Sequence, residues 1–364
     1  MTLRVLHISS ERSWRGGEQQ IAYLIDELHN LGVQNEVLCQ AGSEFEEYCN
    51  SHSIKCHTSH FSGVKGFFKG AKDLKKISKG FDLVHVHTSK GHTVAFYSHL
   101  RGCKAKFIVS RRVDFVPGSS LLTRWKYTFK GIKKILCVSD AIRDIMLEYL
   151  GKKYADKCIT VHSGVDLKKF KASDELDLRK QYKIDDSTFI IGNTSALADH
   201  KDYFTFIDTA YLIIQSGFKC KFFILGDGPL EAEIKKYCYS QGIGDHVSFT
   251  GFVTNPIEYL RNFDLFLITS KTEGLGTSII DAFANAIPVV ATNAGGIPEL
   301  VINEQTGLLC AVKDSNHLSE AVLRLASDNE LKQRLITNAK AHIKNFSKEE
   351  TAKKTLKVYQ EVIG

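Results

Sequence analysis

The chain has 364 residues, 43% hydrophobic and 24% charged, the composition of a soluble globular protein rather than a disordered or fibrous one. That length predicts two domains of ordinary size. The net charge of +7 is uneven: residues 1–170 hold 27 Lys and Arg against 16 Asp and Glu, a balance of +11, and the remainder 21 against 25, or −4, so one half is expected to meet an anionic surface or acceptor.

Leu3 to Ile8 reads as a first strand. Ser9–Arg15 and Gly16-Gly17 lead into a helix from about Glu18 to Asn30, and a second strand follows at Asn35–Cys39. This βαβ opening has no G-x-G-x-x-G after its strand, which argues against a dinucleotide-dependent oxidoreductase. Gly16-Gly17 by itself reads as a tight turn. Lys65–Lys79 mixes bases with apolar residues at 67, 68, 74 and 77, an amphipathic helix that covers the sheet or, in a sharper reading, lies on a membrane surface. Phe81–His87 is a strand whose alternation puts His85 and His87 on one face. Further metal ligands cannot be placed, so no metal is expected. Lys106–Ser110 is a strand that ends in Arg111-Arg112; a guanidinium is no base at neutral pH, and a phosphate or acidic-acceptor contact suits it better. Another strand, Lys134–Asp140, offers Ser139 or Asp140 as the N-cap of a helix. Ile159–Asp166 is a strand and turn, and the polar run Lys168–Asp186 reads as the interdomain connection.

Alternation restarts at Phe189–Asn193. Phe222–Leu225 runs into Gly226-Asp227-Gly228-Pro229, and Val247–Thr250 into Gly251-Phe252-Val253. Asp264 to Val301 is the stretch on which the rest turns. Leu265–Ile268 reads as a strand buried on both faces. Polar residues and glycines follow, and then a helix from Thr277 with apolar positions at 279, 280, 283 and 286. Pro288–Thr292 is a second buried strand, and Gly295-Gly296 a second glycine turn. Unpaired N–H groups at a helix start reached through glycines make an anion site. Glu273 precedes that helix and Asp281 lies inside it; eight residues are roughly 12 Å of rise and about 80° of rotation, so the two acids can hold two polyols along one extended ligand. Gly307–Cys310 is the last strand and Ser347–Ile363 a terminal helix.

The stretch from Glu273 to Asp281, with EGLGTS, PVVAT and GGIPELV in register, resembles the E-x7-E signature of retaining GT-B-fold glycosyltransferases of family 4. Phe81–His87 is similar to the family's DxVHxH strand, His162–Asp166 to its NGVD turn, and Thr194–Lys201 to its GRL-x3-K phosphate loop. The resemblance implies α/β architecture: two Rossmann-like doubly wound domains facing a cleft, one of residues 1–170 for the acceptor and one of 171–346 for the nucleotide sugar, with the helix 347–364 crossing back to the first. It implies that Glu273 contacts the donor sugar and Asp281 the ribose. Lys201 would meet the diphosphate, as would Gly274, Leu275, Gly276 and Thr277 at the helix start; Gly226 and Phe252 would border the base. Gly16-Gly17 would let the backbone approach the donor phosphates or the acceptor. Three departures stand out. Asp281 replaces a Glu and is shorter by a methylene, so its hydroxyl contact is weaker or water-bridged. Ala196 stands where an Arg is usual, so that phosphate contact is missing or comes from elsewhere, with Arg111 or Arg112 as candidates. Those two arginines also occupy the region where many relatives carry a histidine.

The reading is therefore a glycosyltransferase that moves a sugar from a nucleotide diphosphate sugar to a hydroxyl of a saccharide or lipid-linked acceptor, with Glu273 and Lys201 in the catalytic roles. No cofactor, metal or nucleic acid is implied. Nine scattered cysteines without C-x-x-C point to a reducing compartment. The opening MTLRVLHISS lacks the form of a signal peptide and no apolar run reaches about 18 residues, so the expected place is the cytoplasm, with peripheral attachment to an anionic membrane face as an option. The alternatives are a GT-B-fold nucleotide-sugar epimerase, which needs no acceptor, and a non-catalytic nucleotide-sugar-binding protein.

Overall fold

The computed structural model describes residues 2–170 and 176–364, so residues 171–175 of the expected connection lie outside the described residues. The chain divides into two compact units, residues 1–164 with 347–364, and residues 165–346. The first holds seven strands: β1 (Arg4–Ser9), β2 (Gln34–Gln40), β3 (Cys56–Ser59), β4 (Leu83–Val86), β5 (Phe107–Arg111), β6 (Ile132–Cys137) and β7 (Cys158–Thr160). All pair in parallel, in the order β3-β2-β1-β4-β5-β6-β7. The second holds six: β8 (Phe189–Thr194), β9 (Cys220–Leu225), β10 (Val247–Gly251), β11 (Leu265–Ile268), β12 (Val289–Thr292) and β13 (Leu308–Cys310), parallel in the order β10-β9-β8-β11-β12-β13. Both sheets are doubly wound, as the alternation of buried runs and amphipathic helices predicts.

Strands β11 and β12 are near-continuous apolar runs because helices cover both faces. Every residue of β11 and of β12 is buried. The division falls at Gly164/Val165, ahead of the polar run, because Val165 belongs to the second unit's core: it packs among Leu260, Ile279 and Phe346, and its N–H donates to Phe346 O at 3.0 Å. The terminal helix Lys348–Ile363 belongs to the first unit. Ser347 caps it by accepting from Glu350 N, and its buried face of Ala352, Val358 and Tyr359 packs with Val5, Leu24, Leu28 and Ile108.

Gly16 and Gly17 form no tight turn. They are the first two residues of the helix Gly16–Asn30, neither has positive φ, and a Cβ at either meets nothing within 4 Å. The helix Gly63–Ile77 also departs from expectation: it buries Gly66, Gly70, Ala71 and Leu74 and turns Phe68 outward, 43% exposed. Small residues let it lie close against the helix Ser89–Leu100, and the bulkier Phe68 is left at the exposed edge of that contact, its ring 5.5 Å from that of Tyr97.

Candidate functional site

In each sheet the chain winds one way from the first strand and then returns to its other side, so a crevice opens where strand order reverses. In the second unit that point lies between β8 and β11. Three loops meet there, after β8, β11 and β12. Lys271 N donates to His200 O at 2.8 Å, and the Thr269 hydroxyl to Asp202 O at 3.0 Å, so the first two are zipped together. Gly295 (φ +52) rests on the backbone of Glu273, where a Cβ would stand 2.1 Å from the Glu273 carbonyl oxygen, and Gly296 N donates to that oxygen at 2.9 Å. The two glycine loops separated in sequence are one structure, and only a residue without a side chain allows it.

Glu273 and Lys201 are brought together here. Their side chains are 11% and 15% exposed, and Lys201 Nζ donates to Glu273 Oε1. Each is the other's charge partner, a necessary arrangement for two ions held largely out of water. The helix Thr277–Ala284 opens behind Glu273 with Gly276 at its N-cap position (φ +86) and no side-chain cap, so its first N–H groups stay available to an anion. Gly274 and Thr277 are half-buried and Leu275 is buried in the core; of the residues expected to touch a ligand, Leu275 does so through its backbone or not at all.

The base-side loops are joined in the same manner. Leu197 N donates to Asp227 O at 2.8 Å and Gly226 N to Gly251 O at 2.9 Å. Gly226 (φ +136) lies so close to Ser195 that a Cβ would meet its carbonyl oxygen at 2.1 Å. Phe252 is 71% exposed, a free ring at the rim of this ledge. Ala196 is exposed and brings no charge.

Asp281 is placed on the helix but already has a partner. Lys169 Nζ lies 3.2 Å from its Oδ1. Burial pushes the Asp281 carboxyl up and Lys169 opposes that. No local pattern announces Lys169: it lies in the polar run at the start of the second unit, and only folding sets it against residue 281.

The remaining candidates belong to the first unit. Arg111 is buried, lies over the Phe115 ring at 4.9 Å, and donates to Tyr127 Oη (3.3 Å) and Phe115 O; it is occupied in holding its own loop. Arg112 Nη1 donates to Ser163 Oγ at 3.2 Å, and its Nε is buried without a partner among the described residues. Burial lowers its pKa to about 10, against the pull of Glu18. Glu18, itself buried and raised by burial, accepts from Ser9 Oγ at 3.0 Å. Arg112 thus has donors left for an anion; Arg111, whose Nε is likewise without a partner among the described residues, has both terminal nitrogens engaged.

A third ligand for the histidine pair, which the sequence could not place, is His7. The ligand nitrogens of His7, His85 and His87 lie within 4.8 Å of one another, and all three rings are buried. The Asn35 amide donates to Val33 O and accepts from His7 Nε2, each at 3.0 Å, so His7 Nδ1 is the bare nitrogen and accepts from His87 Nε2 at 3.0 Å. His85 is held between Tyr359 Oη (2.5 Å) and Ser110 Oγ (2.8 Å). Burial drives all three pKa values down, that of His7 to about 4, and the charge of Arg112 adds to this for His85 and His87. A dication here would meet no carboxylate and a nearby guanidinium, so the cluster fits a neutral brace better than a metal centre.

Residues 174–342 match the model of glycosyl transferases group 1, and residues 14–169 that of Glycosyltransferase Family 4. An uncharacterised glycosyltransferase of Methanocaldococcus jannaschii is 26% identical over 91% of this chain and 90% of its own. The capsular polysaccharide biosynthesis glycosyltransferase CapM of Staphylococcus aureus is 24% identical over 88% of each chain. Among solved structures, Anabaena HepE in complex with UDP and glucose superposes with a TM-score of 0.83 at 20% identity, covering 99% of this chain and 100% of its own. That likeness supports the two-domain GT-B fold.

Proposed function

We propose, from the premise that the chain belongs to the glycosyltransferases of group 1 and family 4, that it moves a sugar from a nucleotide diphosphate sugar to a hydroxyl acceptor with retention of configuration. The observation that carries this reading is the buried Lys201–Glu273 pair at the switch point of the second sheet, beside an uncapped helix start. The chemical difficulty is the departing diphosphate. Lys201 and the N–H groups from Thr277 onward would neutralise it, an electrostatic task that asks for no metal. Glu273 would hold the sugar hydroxyls, Asp281 the ribose through the oxygen that Lys169 does not engage, and Gly226 and Phe252 would border the base. Gly16 and Gly17, with room beside them, would admit donor phosphate or acceptor, and Arg112, with Arg111 behind it, would meet an anionic acceptor. CapM, named for capsular polysaccharide synthesis, and HepE, solved with UDP and glucose, support a uridine-type donor and a precursor of a cell-surface polysaccharide or glycolipid, built at the cytoplasmic side.

The test is incubation with labelled nucleotide sugars, with and without saccharide and lipid-linked acceptors. Transfer that needs acceptor, with the anomeric configuration kept by NMR, supports the reading. Epimerised donor without acceptor would make the protein an epimerase, and binding without turnover a binding protein.

A further inference from the structure

Two thiols of the first unit stand close to bonding distance. β2 and β3 run parallel with Val37 beside Cys56, Leu38 beside His57 and Cys39 beside Thr58. Alternation puts Val37 and Cys39 on one face of β2, and Cys56 opens on the same face because its register partner is Val37. The two cysteines therefore form a diagonal across neighbouring strands. Their sulfurs are 3.2 Å apart, one thiol donating to the other. A disulfide is about 2.05 Å long, so a closing movement of about 1 Å joins them. Cys39 is buried with Ile21, Val37, Phe45 and Cys49, beneath the helix Glu44–Ser51. Cys56 is half-buried and follows the exposed Lys55. Cys137 and Cys158 repeat the diagonal on β6 and β7, with Ile135 beside Cys158 and Cys137 beside Thr160. Both of those are buried, and neither offers a sulfur to solvent.

The bond within the pair assigns the roles. Hydrogen bonding to Cys56, and then burial, pushes the Cys39 thiol up. The same contact pulls Cys56 down, but the Cys49 thiol and burial outweigh it and leave Cys56 at about 12. Cys56 is thus the thiol that ionises first and that solvent reaches first, with Cys39 held against its sulfur. Neither is a quick nucleophile, so the pair rests as a dithiol and yields to an oxidant small enough to reach Cys56. The residues between the two cysteines include the helix Glu44–Ser51, which steadies the stretch after β1. Glu44 N donates to Arg12 O at 3.0 Å, Glu44 Oε2 accepts from Trp14 N at 2.8 Å, and the Trp14 ring packs on Tyr48 at 4.9 Å. A bond across the base of this loop is therefore felt at Trp14, on the approach to Gly16.

We propose that Cys39 and Cys56 are a reversible oxidation site that closes to a disulfide when hydrogen peroxide reaches Cys56. The Cys56 thiolate attacks a peroxide oxygen, the O–O bond breaks, and hydroxide leaves to combine with the proton that Cys56 released. Cys56 is then a sulfenic acid. The Cys39 sulfur displaces its hydroxyl, which departs as water with the Cys39 proton. Two thiols and one peroxide thus give one disulfide and two waters, and the two electrons lost by the sulfurs reduce the peroxide oxygens. The site needs nothing from the transferase reading. The experiment treats native protein with hydrogen peroxide, alkylates the remaining thiols and maps linked peptides by mass spectrometry. Two of the nine cysteines should escape alkylation, in a peptide pair that joins Cys39 to Cys56 and that dithiothreitol separates. Its rate of formation should rise about tenfold per pH unit on the alkaline side of neutrality, because the thiolate is the reacting form. In the oxidised protein amide exchange over residues 40–55 should slow on the order of tenfold. In a Trp125→Phe background Trp14 is the remaining tryptophan, and its emission should change with the same time course. Cys39→Ser should leave Cys56 to collect as sulfinic acid; if that variant does not fold, the wild-type map decides alone. Nine alkylated cysteines after peroxide, Cys56 linked to Cys49, or Cys137 linked to Cys158 at an equal rate would overturn the proposal.

Discussion

The two units repeat one strand order and differ in what stands where it reverses. Between β8 and β11 the second unit sets a cation against a carboxylate, Lys201 and Glu273, over glycine loops packed backbone to backbone. Between β1 and β4 the first unit sets three neutral imidazoles against one another, His7 bonded to His87 and His85 held by Tyr359 from the terminal helix. Topology makes the place twice; side chains decide what it is for. In the second unit charge is held ready at the crevice. In the first the same depth is filled by groups whose burial keeps them uncharged, and the available donors lie further out, on Arg112.

The largest expected effect that would break this comparison is acid. His7 stands at about 4 and His92 at about 3, with His85 and His87 well below the usual value, all by burial. In the unfolded chain each titrates near 6.5. The unfolded chain therefore takes up protons that the native first unit refuses. The stability tied to these groups is complete above about pH 6.5 and drains as pH falls toward 4, by about 1.4 kcal/mol per group per pH unit. In the second unit His317 is shifted the other way, raised by Asp314. Hydrogen exchange at pH 7 and pH 5 should show residues 2–164 losing protection first; simultaneous loss in both units would contradict the neutral-brace reading.

Next in size is Glu273→Gln, expected to cut turnover on the order of a hundredfold, as for a lost positioning and electrostatic contact. Because Glu273 holds Lys201 in the free protein, the same change should tighten nucleoside diphosphate binding slightly. Titration calorimetry reads that sign, and a large loss of affinity would move Glu273 into the nucleotide site. Lys201→Ala should weaken diphosphate binding by about 1.5–3 kcal/mol, the worth of a charged hydrogen bond; an unchanged dissociation constant would reduce Lys201 to a structural ion. Tyr359→Phe should cost the first unit about 1 kcal/mol by leaving His85 Nδ1 unpaired in the interior, and thermal melting should register it while nucleotide affinity stays as it was. The smallest expected effect is none: turnover in EDTA should equal turnover without it. Activity lost to the chelator and restored by Mg²⁺ or Mn²⁺ would replace Lys201 and the helix start as the leaving-group clamp.

Several features were legible from residue order because their causes are local. Leu265–Ile268 and Val289–Thr292 read as buried parallel strands since a strand covered on both faces tends to be a near-continuous apolar run. Ser139 was recognisable as a cap because the missing bond it supplies, to Ile142 N, lies three residues away. The helix over 63–77 was legible as a helix, but not all of its buried face: Phe67 and Leu74 pack inward as their spacing suggested, whereas close packing buried Gly66, Gly70 and Ala71 and left Phe68 exposed.

What the sequence by itself determined was the alternation of strands and helices, the glycine loops at Gly274–Gly276 and Gly295-Gly296, and the residue types available to an anion and a polyol. Only the tertiary structure decided the pairings: Lys201 with Glu273, Lys169 with Asp281, His7 with His87, Tyr359 with His85. Each joins positions that are far apart along the chain and adjacent only once strand order is set. Turn chemistry and hydrophobic period act over a few residues, and strand order is settled by burying whole faces against one another. The charge state of a buried group follows from that last step, because desolvation does not exist until the neighbours are in place.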